Sequence, residues 1–249
     1  MSLRLAHIFR HPVKSHGREE LQQVALAEGC CLPWDRHWAV AHDAAKLTEG
    51  WNPCVNFSRG AKAPALQAIN AALDEGTATL TLTHPDRPAL TFRPDDTRDA
   101  ARFLDWVRPL VPADRAQPAR LVAAGRGMTD TDYESVSILS LTSNRILSKR
   151  MGVDLDPGRW RGNLWIEGLA PWEEFDLIGR TLAIGDARLK VTERITRCRA
   201  TMANPDTGRI DADTLGALEA AYDHTDFGVY AVVTQPGTIR AADPVTVLP

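Results

Sequence analysis

Apolar residues recur at every second position along much of this chain, the spacing that lines one face of a pleated strand. Leu3–Arg10, Leu21–Leu26 and His37–Ala41 follow it, as does Thr77–Thr83 (TATLTLT). The segment His84-Pro85-Asp86-Arg87-Pro88 turns that last strand into a partner at Ala89–Phe92, the clearest hairpin in the sequence. Further strands are predicted at Val136–Leu141, Asn163–Ile166, Gly228–Val233 and Val245–Leu248, with Pro236-Gly237 as a turn between the last two. Gly185-Asp186 joins Thr181–Ile184 to Arg188–Val191 as a second hairpin. The alanine-rich Pro64–Leu73 fits either a helix or an irregular strand.

Helical spacing is confined to three stretches. Asp99–Leu110 puts Ala101, Phe103, Leu104, Val107 and Leu110 on one face, with Asp96 or Thr97 as the cap. A second helix is predicted from about Ser143 to Met151, closed by Gly152, and a third over Thr214–Tyr222 behind Asp211 or Asp213. Strands outnumber helices and do not alternate with them as βαβ units require. The expected fold is therefore β-rich α+β and barrel-like. The Pro-, Arg-, Ala- and Gly-rich stretch from Pro109 to Gly127 marks the expected boundary, giving domains 1–125 and 126–249.

Composition narrows the function classes. In 249 residues, 29 Lys+Arg against 32 Asp+Glu leave a net charge of −3, which lacks the basic field that nonspecific nucleic-acid binding needs. The longest apolar runs, such as Val229–Val233, are strand-sized, so no membrane span is expected. Met1-Ser2-Leu3-Arg4-Leu5 does not resemble an export signal, and a cytoplasmic protein is expected. The four cysteines (Cys30, Cys31, Cys54, Cys198) form no CxxC pair; reduced, mostly buried thiols are expected. Cys198 alone has a cation on each side, Arg197 and Arg199, a setting that favours a thiolate.

No P-loop, GxGxxG turn, HExxH or GxSxG is present. His7 and His11 are four apart, but in a strand this spacing does not make a helical metal pair. The Asp pairs 95/96, 130/132 and 211/213 sit at turns or helix starts, where capping accounts for them. Basic and polar residues stand at strand ends: Lys14-Ser15 after the first strand, Arg36 before another, Arg161 and Asn163 before a third, Arg197-Cys198 after a fourth. Such donors suit a phosphate or a flat heteroaromatic ring, although solvated surface cations would look the same in sequence.

Six segments, in order, then carry a resemblance. His11-Pro12-Val13-Lys14-Ser15 is similar to a "YPVKS" opening, and Asp35-Arg36-His37-Trp38 to "GDRRW". Arg161-Gly162-Asn163 resembles "RPN", and Pro171-Trp172-Glu173-Glu174 followed by Ile178-Gly179 resembles "WEEDxWxG". Arg197-Cys198 with Thr201 and Asn204–Gly208 is similar to "RCxxTxVDPxTG". Gly228–Ala231 through Val245 resembles the closing "GVYAxVxxPGxIxxGDxV". Together they identify the chain as similar to the MOSC superfamily with its N-terminal β-barrel domain, closest in pattern to the amidoxime-reducing component and bacterial hydroxylaminopurine reductases.

The resemblance implies an N-terminal β-barrel domain packed on a MOSC β-barrel, with a cleft between them for molybdenum held by molybdopterin. It implies Cys198 as the metal ligand, Lys14, Ser15 and Arg36 on the cofactor phosphate, and Arg161 and Asn163 on the pterin. Arg197, Ser143 and Ser140 are implied as cofactor-lining, and Asp132 and Tyr230 as residues near the metal. It implies reduction of a small N-hydroxylated substrate, with electrons from a separate ferredoxin- or flavoprotein-type donor because the chain has no cysteine cluster for an iron–sulfur centre. The alternative is a sulfur carrier on Cys198 working with a pyridoxal-phosphate-dependent desulfurase. Met202 and Asn204 depart from the family's threonine and aspartate, which bears on substrate class.

Overall fold

The computed structural model describes residues 2–248. The first half runs β1 (Arg4–Arg10), β2 (Glu19–Leu21), β3 (Gln23–Leu26), β4 (Trp38–His42), β5 (Asn70–Asp74), β6 (Thr79–His84), β7 (Arg87–Phe92), α1 (Thr97–Val107) and β8 (Pro118–Ala123). The second runs β9 (Val136–Ser140), α2 (Leu141–Met151), β10 (Leu164–Glu167), β11 (Thr181–Ile184) and β12 (Ala187–Thr196). It closes with α3 (Thr214–Tyr222), β13 (Asp226–Gln235), β14 (Gly237–Arg240) and β15 (Val245–Leu248).

The largest sheet has eight strands in the order β15-β11-β12-β13-β9-β10-β1-β2. It is mixed: β9 and β10 run parallel, and the other pairs are antiparallel. Its centre is covered on both faces. Ile138, Leu164, Ile166 and Val229 pack into one apolar cluster, while Leu139, Trp165 and Phe227 face a second with Trp160, Leu147 and Leu218. Burial on both faces explains why β9 and β10 read as continuous apolar runs rather than alternating ones.

The first half has its own core. The β5-β6-β7 meander packs Leu80, Leu82, Leu90 and Phe92 against Phe103, Trp106 and Val107 of α1. Phe92 stacks on Phe103 with ring centroids 4.8 Å apart. Asp96 caps α1, accepting from the amides of Arg98 and Asp99. The first-half strands also enter the second half: β1 pairs with β10, and β3 pairs with β14.

Two sequence expectations change. Among the described residues no sheet closes into a barrel, because β2 and β15 end the large sheet without pairing to each other. Pro109–Gly127 is not all connection: Pro118–Ala123 forms β8, hydrogen-bonded to β4. Pro64–Leu73 resolves into a short 3-10 turn, Pro64–Ala68, followed by β5. No helix among the described residues is long and apolar enough to cross a membrane.

Candidate functional site

Three loops from distant parts of the chain are stitched together beside β13. The turn after β1 carries Lys14 and Ser15, and the turn before β4 carries Asp35 and Arg36. The Arg36 amide donates to His11 O (2.6 Å), and the Met128 amide donates to Arg36 O (2.8 Å). Lys14 Nζ then crosses between the halves, donating to Met128 O (2.7 Å), Thr129 O (3.3 Å) and Asp130 Oδ1 (2.6 Å). Arg161 follows the 3-10 turn Pro157–Trp160, and Arg197-Cys198 leave the end of β12. In β13, Gly228 adopts φ +79°, and a Cβ there would meet Ile138 O at 2.8 Å. Only glycine allows β13 this approach to β9, which sets Tyr230 opposite Ser137 in the ladder.

These segments line one cleft of ≈ 270 Å³, which receives Lys14, Ser15, Arg36, Arg161, Arg197, Cys198 and Tyr230. Both halves contribute, as the sequence implied. Cys198 is exposed. Its backbone carbonyl is fixed by the Thr201 amide (3.2 Å) and hydroxyl (3.1 Å). The expectation of mostly buried thiols fails: all four cysteines are free, but only Cys31 is buried, and burial pushes its thiol up.

Charge in the cleft is one-sided. Lys14, Arg36, Arg59, Arg159, Arg161 and Arg197 line it, against the single carboxylate of Asp130. Two of these cations are held by carbonyls rather than carboxylates. Arg197 donates to Phe227 O (2.7 Å, from Nε) and Trp160 O (2.9 Å), and Arg161 donates to Gly17 O (3.2 Å). Burial lowers both, Arg161 to about 9 with Arg36 adding repulsion, and Arg197 to about 10. Both stay protonated at neutral pH, and an anion would relieve what burial costs them. Arg36 behaves oppositely. Burial lowers it, but the charge of Asp35 more than offsets this and raises it above the ordinary arginine value. Its Nη2 donates to Arg161 O (2.8 Å).

Behind the cations lies a buried layer. Asp35 is fully buried, accepts from the His11 amide (2.8 Å) and pairs with Arg36. Burial pushes its carboxyl up, yet Arg36 and His11 together hold it well below the usual carboxylate range. Burial keeps His11 and His16 neutral, with His16 lowered to about 4. His7 is not near this layer; it pairs with Glu20 (2.7 Å).

Four sequence-predicted residues fall outside the cleft. Ser140 is the buried N-cap of α2, accepting from the Ser143 amide (3.2 Å). Ser143 Oγ donates to Glu174 (2.7 Å) and accepts from the Trp172 amide (2.9 Å), so its hydroxyl is committed to packing. Asn163 stands behind the wall: its Oδ1 accepts from the Ser137 hydroxyl (2.8 Å) and its Nδ2 donates to Phe9 O (3.2 Å). It registers β9 against β1 rather than facing a ligand. Asp132 is exposed and does not line the cleft, which receives Asp130 instead. The two aspartates are one strand repeat apart, and nothing in their spacing says which one reaches Lys14. Asn204 and Met202 do not line the cleft either. Asn204 builds a turn, accepting from the Asp206 amide (2.8 Å) and donating to Asp211 (2.7 Å).

Cys54, Arg59, Gln67 and Arg159 line the cleft without having been singled out in the sequence. Cys54 Sγ accepts from Arg59 (3.3 Å), and Arg159 pairs with Asp211 (2.8 Å). Arg159 Nε and Gln67 Oε1 are buried without partners among the described residues. No local pattern marked them, because they come from loops whose meeting is decided by the packing of the two halves.

The fold and the cleft define a class: a two-part β protein whose halves jointly line one cleft with an exposed thiol and a surplus of buried and half-buried cations. Residues 2–113 match the MOSC N-terminal beta barrel domain, and residues 126–246 match the MOSC domain. The chain is 33% identical to mitochondrial amidoxime-reducing component 1 of Mus musculus, covering 98% of this chain and 82% of that protein. It is 30% identical to the Homo sapiens protein of the same name over 47% of this chain and 38% of that protein. Among solved structures it is similar to the YuaD protein of Bacillus subtilis (12% identity, 98% of this chain, 94% of that chain, TM-score 0.46). It is also similar to YiiM of Geobacillus stearothermophilus (19% identity, 46% and 54%, TM-score 0.36). The chain belongs to the MOSC-domain family, in the group that carries the N-terminal β-barrel domain and includes the amidoxime-reducing component.

The donor set fits the cofactor type that the family resemblance implies. A phosphate-bearing pterin calls for cations and hydroxyls, and Lys14, Ser15 and Arg36 in the lining are of those types. A soft metal position calls for a reachable thiol, and Cys198 is an exposed thiol in the same lining. Among the described residues no group of three or more His, Cys, Asp or Glu is placed to cage a metal ion.

Proposed function

We propose that this chain holds a molybdenum-bearing pyranopterin in the cleft and reduces N-hydroxylated compounds there. The observation that carries the reading is the convergence of exposed Cys198 with six cations and a single carboxylate in one cleft built from both halves. When bound, the group would supply a two-electron redox centre able to take oxygen from nitrogen. The chain's part is to bind, orient and exclude water. Lys14, Ser15 and Arg36 would hold the terminal phosphate, with Asp130 released from Lys14 as the phosphate arrives. Arg161 and Arg197, already fixed by carbonyls, would face the pterin without losing further freedom. Cys198 would provide the thiolate ligand. Burial and the neighbouring Asp130 charge raise the Tyr230 phenol, so it stays protonated and able to donate a hydrogen bond at the substrate end. Electrons would arrive from a separate donor protein.

Metal analysis of the purified holoenzyme with a reduced-dye assay on a hydroxylamine or amidoxime tests this. Stoichiometric molybdenum and activity are expected in the parent. Cys198→Ala is expected to lose activity by more than about a hundredfold, since losing even an outer-shell partner of a metal ligand typically costs about 10–100-fold. Full activity in Cys198→Ala, or a persulfide on Cys198 without metal, overturns the reading; the second outcome establishes a sulfur carrier.

A further inference from the structure

Cys198 is exposed, and the segment that carries it is slight. It precedes a single 3-10 turn of four residues, Arg199–Met202, and its side chain does not cap that turn. A lone 3-10 turn does not hold its own geometry, because its hydrogen bonds are few and poorly aligned. What fixes the thiol in the cleft must come from elsewhere in the fold.

Three buried side chains from distant parts of the chain reach this turn. Gln67, in the 3-10 turn Pro64–Ala68, donates from Nε2 to Ala200 O (2.9 Å) and, at longer range, to Arg159 O (3.4 Å). Arg159 donates from Nη1 to Thr201 O (3.3 Å) while pairing with Asp211. Thr214, at the start of α3, shares a hydroxyl–hydroxyl bond with Thr201 (2.7 Å). Thr201 in turn holds Cys198 O from both its amide and its hydroxyl. Gln67, Arg159, Thr201 and Thr214 are each no more than 4% exposed, so water does not compete for these bonds.

Of the three, Gln67 alone comes from the first half. The packing around its contact is close: a Cβ on Gly60 would stand 3.2 Å from Gln67 Cδ and 3.3 Å from Ala200 Cβ. The residue type also suits the place. An amide donates to a carbonyl without adding charge to a wall that already holds Arg59 and Arg159, whereas a carboxylate could not donate at all. We propose that Gln67 is a positioning residue for Cys198: through Ala200 O it ties the thiol-bearing turn to the half of the chain that supplies Lys14, Ser15 and Arg36. The thiol and the phosphate-type donors then keep one spacing across the cleft, and a misplacement of about 1 Å between such groups is enough to cost about a hundredfold in rate. The consequence for a bound metal rests on the function proposed above; the clamp on the turn does not.

Gln67→Met keeps the length of the side chain and removes the donor. Amide hydrogen exchange of the purified full chain is expected to quicken about tenfold or more over residues 198–203, while β12 and α3 keep parent rates. In the molybdenum-loaded protein the same substitution is expected to alter the metal's electron paramagnetic resonance spectrum. It is expected to lower kcat by about 10–100-fold with KM within about twofold, the pattern of a ligand that is bound but misplaced. Ile184→Val, in the core of the large sheet under β11, weakens packing without touching this turn and is expected to leave exchange over 198–203 and the spectrum at parent values. Parent-like exchange over 198–203 in Gln67→Met, or the same acceleration in Ile184→Val, overturns the clamp. Faster exchange with an unaltered spectrum and kcat overturns its link to Cys198. A parent chain that holds no molybdenum overturns the proposed function instead, and the exchange comparison still decides what Gln67 does.

Discussion

Asp35 shows how much of a binding site is made by groups that touch no ligand. Its carboxylate sits under Arg36, bonds the His11 amide and is closed off from solvent. Removing one partner of a buried ion pair leaves the other charge uncompensated, which costs about 3–5 kcal/mol. Asp35→Asn is expected to lower the urea midpoint accordingly at neutral pH and, through a loosened Arg36, to weaken retention of the proposed cofactor. The sign with pH follows from the depressed carboxyl. Its contribution is present above the ordinary carboxylate value of 3.8 and is lost as pH falls below it. The difference between Asp35→Asn and the parent should therefore shrink in acid; a difference that stays constant down the acid limb would contradict this assignment. Arg36 itself stood out in the sequence, whereas Asp35 appeared there only within the segment Asp35-Arg36-His37-Trp38, with nothing to mark it as buried. Burial is decided by what packs above a residue, and here that includes the loop of Met128, far along the chain.

Among elements, α2 and the loop that packs on it have a buried acid at their contact. Glu174 is fully inaccessible, accepts from Ser143 Oγ and leaves Oε1 without a partner. Burial pushes its carboxyl up to about 7, so the folded chain keeps a proton that the unfolded chain releases near 4.5. Stability is then full below about 4.5 and declines as pH rises toward 7. Glu174→Gln removes that slope, and its stability relative to the parent should climb across this window by about 3 kcal/mol. Chemical denaturation of both proteins at pH 4 and pH 8 checks it; parallel pH profiles would count against a neutral Glu174. Elements were the most legible level of the sequence. Strict alternation in Thr77–Thr83 and the Asp96 cap are local signals, and β6 and α1 follow them. β14 was missed because its pairing with β3 is set by a distant strand, and its first residue reads as a turn glycine. Ser140 and Ser143 were placed on a ligand by motif, yet the same residue types serve as a helix cap and a packing hydroxyl, which sequence alone cannot separate.

At the level of the whole molecule, the two halves are not independent. Leu5 and Ile8 of β1 are fully buried in the large sheet's core, and β1 covers the edge of β10. Residues 126–249 made alone would lose both side chains, worth about 2–3 kcal/mol each, and would expose an apolar strand edge. That fragment is expected to aggregate or to lack native circular dichroism, while the full chain melts in one transition. A fragment that folds as a monomer with native spectra would show the halves to be separable. The cleft is legible in sequence only as a list of loop cations; its one-sided charge emerges when the halves meet.

Three residues of that cleft, Ser15, Arg36 and Arg161, hold left-handed backbone at φ 63°, 52° and 50°. Side chains other than glycine resist this conformation by about 1–2 kcal/mol each. The surrounding loops hold this conformation, so docking of the proposed cofactor is expected to leave the main chain here unchanged. Capture should then proceed at the pace of charge-guided collision, slowed by added salt and little altered by solvent viscosity beyond diffusion itself.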